Sequence, residues 1–126
     1  MMSSTSLATE KAPAAIGPYS QGIKSNGMVF VSGQLPVNPA TGELLTEIAA
    51  ATRQSLTNLA AVLAAGGCTM NQVVKTTVFL SDLNNFTAMN EVYSEFFKTN
   101  PPARSTVQVA ALPKGAVVEI EAIAVQ

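Results

Sequence analysis

A chain of 126 residues is the size of one domain and long enough to bury a sizeable core. Its net charge is −1, and its lysines are scattered at positions 11, 24, 75, 98 and 114 without forming a basic cluster, so nucleic-acid binding by phosphate neutralisation has little support. With no histidine and the single cysteine Cys68, the chain lacks the usual ligands for a zinc site and cannot close an intrachain disulfide.

Only 12% of the residues are charged while 48% are apolar, which is little charge for the surface of a small monomer. Self-association is therefore expected. The segment Met1 to Lys11 has neither an apolar signal core nor the arginines of a transit peptide, and no stretch approaches a membrane span. A cytosolic protein is expected, with residues 1–126 as one domain and residues 1–10 as a flexible arm.

In chain order, Gly17-Pro18 opens a strand from Tyr19 to Lys24, and Ser25-Asn26-Gly27 supplies a hairpin turn into Met28–Gly33. Pro36, Pro39 and Thr41-Gly42 keep the next segment irregular. From about Thr46 to Ala65, Leu56, Leu59, Ala60 and Leu63 recur at helical spacing, and Gly66-Gly67 is a C-terminal stop. Gln72 to Ser81 is rich in β-branched residues and reads as a strand with Val74, Thr76, Val78 and Leu80 on one face.

Asn84 or Asn85 can cap a second helix reaching about Lys98, with Phe86, Met89, Tyr93, Phe96 and Phe97 as an apolar stripe that belongs to the core. Two strands follow, Arg104 to Ala110 and Ala116 to Val125. In the last, Val118, Ile120, Ala122 and Ala124 share the face the helices should cover, while Glu119, Glu121, Ile123 and Val125 share the other. The order ββαβαββ implies an α+β layer, a mixed sheet with two helices on one face. The uncovered face should meet another subunit.

The scarcest chemistry in this chain is a cation and carboxylates on strands expected to be adjacent: Arg104, Glu119 and Glu121. Arg104 reads either as a strand-edge ion pair with one of these glutamates or as a planar two-point donor for a small carboxylate. The residues alone leave both open.

Five segments decide the matter by their order. Ala14-Ala15-Ile16-Gly17-Pro18-Tyr19-Ser20-Gln21, Ser32-Gly33-Gln34-Leu35-Pro36, Val74-Lys75-Thr76-Thr77-Val78, Pro102-Ala103-Arg104-Ser105 and Glu119-Ile120-Glu121-Ala122 together resemble the RidA (YjgF) family, from Thr9 to Val125. The resemblance implies a chorismate-mutase-like subunit in a homotrimer with ligand clefts at subunit interfaces. It also implies cofactor-independent hydrolysis of 2-imino acids, such as 2-iminobutanoate and 2-iminopropanoate, to 2-oxo acids and ammonia.

Position by position, the resemblance makes Arg104 the carboxylate-binding arginine, Glu119 the residue that positions or activates water, and Tyr19 the aromatic hydroxyl of the cleft. Ser32, Gly33, Asn90 and Thr106 match other lining positions. Many relatives have cysteine where this chain has Thr106, so a contact there is expected through the backbone. A non-catalytic metabolite-binding or chaperone-like trimer and an endoribonuclease are the alternatives. Retention of both Arg104 and Glu119 favours the deaminase over the first, and the missing histidine and basic patch weigh against the second.

Overall fold

The computed structural model describes residues 3–126. Six strands form one sheet in the order β1-β2-β3-β6-β4-β5: β1 Ser4–Leu7, β2 Gly22–Ser25, β3 Met28–Gln34, β4 Val73–Leu80, β5 Ala103–Gln108 and β6 Val118–Val125. The β4–β5 pair is parallel and the other pairs are antiparallel, so the sheet is mixed. The helices are α1, Ile48–Ala65, and α2, Phe86–Phe96.

The β2–β3 hairpin turns at Asn26 and Gly27, whose φ values of 52° and 76° lie in the left-handed region that a two-residue hairpin turn requires. Helix α1 begins where Glu47 accepts the Ala49 and Ala50 N–H groups at 2.8 and 3.1 Å. Those bonds satisfy two orphan donors and hold the Glu47 carboxyl below its usual value. The helix ends as expected at Gly66-Gly67, with Cys68 N–H returned to Leu63 O and Gly67 N–H to Ala64 O.

Leu56, Leu59, Val62 and Leu63 of α1 and Met89 and Tyr93 of α2 pack on Val78, Leu80, Val118, Ile120, Ala122 and Ala124 in one core. The helix-covered face of β6 is therefore the expected one. Cys68 is a buried thiol within that core. No helix among the described residues is long and apolar enough to cross a membrane.

Four expectations need correction. The strand expected to open at Tyr19 begins only at Gly22. The arm expected over residues 1–10 contains a strand: Ser4–Leu7 pairs with β2, making the element order βββαβαββ, while Met1 and Met2 lie outside the described residues. In β4 the register shifts between Val73 and Lys75, so Val73 is buried and Val74, expected inside, is exposed. The strands bearing Arg104 and Glu119 are not adjacent, because β4 lies between β5 and β6 and β5 is the sheet edge.

Candidate active site

Strand register places the anticipated site residues in two groups. Arg104 pairs with Thr76 and Thr76 with Ala122, while Thr106 pairs with Val78 and Val78 with Ile120. Thr76, Val78, Ile120 and Ala122 are all buried beneath the helices, so Arg104 and Thr106 belong to the helix-covered face. Glu119 pairs with Phe79 and Phe79 with Val107, one residue out of step, which puts Glu119 on the open face.

On the helix side, Arg104 Nη1 donates to Asn90 Oδ1 at 2.7 Å. Its guanidinium lies 4.6 Å from the Tyr93 ring centroid and 5.5 Å from that of Phe86. Asn90, Phe86 and Tyr93 lie three or four residues apart on α2 and therefore share a helix face. Two aromatic faces and a neutral amide oxygen orient the cation without neutralising it.

Tyr93 is itself fixed by a 2.7 Å hydrogen bond with Thr76 and stacks against Phe97 at 4.6 Å. Burial raises its phenol above the usual value, while the Thr76 bond and the nearby Arg104 charge oppose that rise. The stripe on α2 is thus partly core, as expected, and partly a cradle for the guanidinium. Its helical spacing was visible in sequence; its relation to Arg104 depends on α2 packing over β5.

The alternative of an Arg104 ion pair with Glu119 or Glu121 fails. The salt bridge found among the described residues is Arg53–Glu95, a two-point contact with both N–O distances at 3.1 Å between exposed side chains of α1 and α2. One arginine therefore fastens two helices at their surface, and the other remains available to an anion. Thr106 Oγ1 is enclosed without a hydrogen-bond partner, while its strand, as the sheet edge, has backbone groups directed away from β4.

On the other side, Tyr19, Ser32, Gly33 and Glu119 line a cavity of about 780 Å³ together with Glu121 and Lys114. The β3–β6 register is interrupted between Val31 and Gln34, and this bulge brings Ser32-Gly33 against β6. Ser32 Oγ donates to Ser20 O at 2.6 Å, tying the bulge to the segment before β2. Tyr19 is 53% exposed, so most of its surface is open to a ligand or a neighbouring chain.

Glu119 lies directly over Gly33: a Cβ added at that glycine would stand 2.8 Å from both Cδ and Oε2 of the carboxylate. Burial raises the Glu119 carboxyl above its ordinary value, and the like charge of Glu121 adds to the rise. A carboxyl that is easier to protonate and faces a cavity can take up a proton and return it. Gly33→Ala should therefore move the carboxylate while leaving the core intact. The expected result is a melting temperature within a few degrees of the parent and turnover reduced about tenfold to a hundredfold, as an ångström of misplacement costs. Parallel thermal and kinetic measurements check it.

Sequence reading missed Lys114, whose backbone has a φ of 61° at the cavity wall, and the aromatic contacts of Arg104. It also missed the bonds by which Gln21 holds the base of the loop that carries Tyr19.

The sequence matches the family model described as Endoribonuclease L-PSP over residues 9–126. The chain belongs to the RidA (YjgF) family. It is 52% identical over 126 residues to the 2-iminobutanoate/2-iminopropanoate deaminase of Escherichia coli K12, covering 98% of each chain. It is 48% identical over 121 residues to the human protein of the same name, covering 95% of this chain and 88% of the other. Among solved structures, Escherichia coli TdcF with bound serine superposes with a TM-score of 0.94 at 48% identity, covering 97% of this chain and 98% of that one. The RidA-type α+β sheet anticipated from the ordered motifs is the one found.

Proposed function

We propose that this chain is a 2-iminobutanoate/2-iminopropanoate deaminase whose clefts form between copies of the chain in a homotrimer. The observation that supports the reading is the placement of Arg104 and Glu119 on opposite faces of one sheet, Arg104 bonded to a neutral amide and Glu119 lining a cavity above Gly33. Two functional groups on opposite faces serve one small substrate when the sheet edge and α2 of one subunit meet the open face of the next. Roughly half identity across nearly the full length of named deaminases supports the reaction.

Arg104 holds the substrate carboxylate, with the edge backbone at Thr106 beside it. Asn90 and the rings of Tyr93 and Phe86 keep the guanidinium plane fixed, so orientation is established before the chemistry begins. Glu119 of the adjoining subunit takes a proton from water as the oxygen attacks the C=N carbon, giving a tetrahedral carbinolamine. With the imine entering as its iminium, that carbinolamine is neutral; the carboxylic acid returns the proton to nitrogen, the C–N bond breaks as the carbinolamine hydroxyl gives its proton to the same carboxylate, and ammonia and the 2-oxo acid leave. Tyr19, Ser32 and Gly33 line the side from which water and substrate enter. The reaction needs no cofactor, and the cytosol, where amino-acid dehydratases release such imines, is the compartment of action.

The endoribonuclease alternative lacks both an imidazole and a basic track for the RNA backbone. A purely binding trimer would not need the proton-accepting carboxyl opposite the guanidinium. Light scattering should give three times the subunit mass of 13.0 kDa. In a coupled assay, a threonine dehydratase generates the imine and semicarbazide traps it. Addition of this protein should suppress semicarbazone formation; unchanged trapping would overturn the deaminase reading, and a stable monomer would overturn the shared cleft.

A further inference from the structure

Tyr19 reaches the cavity on a short loop, Pro13–Ser20, and one residue at its exit reaches back with its side chain to hold the entry. Gln21 is buried, at 5% exposure. Its Oε1 accepts the Thr9 N–H at 2.7 Å, and its Nε2 lies 3.1 Å from Thr9 O, 3.2 Å from Ala12 O and 2.7 Å from Pro13 O. An amide with two N–H groups thereby serves three carbonyls and one N–H, using both donor and acceptor capacity. Its main chain is fixed as well, since Ser32 N–H donates to Gln21 O at 3.0 Å.

The entry of the loop is thus bound by the Gln21 side chain, and its exit by the Gln21 and Ser20 carbonyls on β3. Between these anchors the chain turns tightly: Gly17 has a φ of 112° and Tyr19 N–H donates to Gly17 O at 2.9 Å. Ile16, 77% exposed, and Tyr19 stand out from it. A loop of this length with converging ends is rigid only while its base is closed.

We propose that Gln21 is a positioning residue for the deaminase reaction, closing the base of the Pro13–Ser20 loop and thereby setting the place of the Tyr19 hydroxyl in the cleft. This rests on the reading of Tyr19 as a cleft residue. No other side chain of similar length replaces it: methionine offers no hydrogen bonds there, and an ionised glutamate would face three carbonyl oxygens without a proton to give.

The test is a double-substitution cycle with hydrogen exchange, on the full chain. In Gln21→Met, the Thr9 amide that Gln21 Oε1 holds and the Tyr19 amide bonded to Gly17 O should exchange at least about tenfold faster, while those of β3 and β6 keep their protection. In the trapped-imine assay kcat should fall about tenfold with a smaller change in KM, because the loop affects geometry more than binding. In a Tyr19→Phe background the same Gln21→Met change should alter kcat by less than about twofold, since the hydroxyl it positions is gone. Gln21→Glu, which keeps the acceptor for Thr9 and loses the donors, should behave alike and serves if the methionine variant does not fold.

A loosened loop with unchanged kcat, or equal losses in both backgrounds, would overturn the inference while leaving imine hydrolysis standing. Wild-type protein that fails to suppress trapping would overturn the reaction itself, and the catalytic role of the clamp with it.

Discussion

Glu119→Gln is expected to lower kcat by roughly 10² to 10⁴, the range for removal of a general acid–base group, while leaving the assembly intact. Glutamine fills the space above Gly33 that the carboxyl fills and can hydrogen-bond, but it cannot take the proton from water. Binding of 2-oxobutanoate, measured by calorimetry on the same preparation, should survive because the Arg104 side of the cleft is untouched. Loss of binding together with turnover would make Glu119 a ligand-holding or structural residue. Turnover that survives would move water activation to Tyr19, Glu121 or the substrate itself.

The raised carboxyl also sets the sign of two pH effects. In the proposed mechanism Glu119 acts in its ionised form, so kcat/KM should fall as pH drops through a pKa above the ordinary glutamate value, and that acid limb should vanish in Glu119→Gln. For stability the sign is reversed. A folded-state pKa above the unfolded one favours the native state most when the group is protonated, and this contribution disappears as pH rises through the folded value. The neutral variant should melt at the same temperature as the parent or higher at pH 7, with the difference shrinking as the solution is acidified. A lower melting temperature at pH 7 would show that the carboxylate makes a stabilising contact in the assembly.

Sequence patterns carried much of the fold because its interior elements obey simple periods. The Asn26-Gly27 turn, the α1 leucines and the alternation of Val118, Ile120, Ala122 and Ala124 each have one good structural solution. Strand β1 escaped notice since Ser4-Thr5-Ser6 is polar and exposed and only Leu7 is buried, so an edge strand there carries no hydrophobic alternation. The bulge at Val73-Val74 was hidden for a related reason: two neighbouring valines satisfy either register, and pairing with β6 chooses between them.

The candidate site residues stood out as types and as ordered motifs, but their arrangement was not legible. Arg104 and Glu119 sit on strands consecutive in sequence, yet β4 separates them in the sheet, and the face each occupies follows from pairing registers that no local pattern encodes. The cradle of Asn90, Tyr93 and Phe86 likewise depends on where α2 lies over β5. Gln21 closes the first of the ordered motifs, but its role was hidden because a buried amide that ties a loop has no period.

Arg104 and Glu119 variants should rescue one another when mixed, although each is nearly inactive alone. Arg104→Met keeps an apolar stem beneath the Tyr93 and Phe86 rings and removes every donor. Loss of two charge-assisted bonds to a carboxylate, at about 1.5–3 kcal/mol each, is expected to reduce kcat/KM by roughly 10² or more. Even Arg104→Lys should lose most activity, because a single ammonium lacks the planar fork. If the cleft draws Arg104 from one subunit and Glu119 from the next, an equimolar mixture of Arg104→Met and Glu119→Gln chains, unfolded and refolded together, contains clefts with both native groups. Random assembly gives about a quarter of all clefts that composition, so activity should return to about that fraction of wild type. Refolding each variant alone supplies the baseline, and native mass spectrometry verifies that mixed trimers have formed. A site built within one chain allows no such recovery, since every chain in the mixture lacks one of the two groups. Mixed trimers without recovered activity would therefore refute the shared cleft, even if each single variant loses turnover as expected.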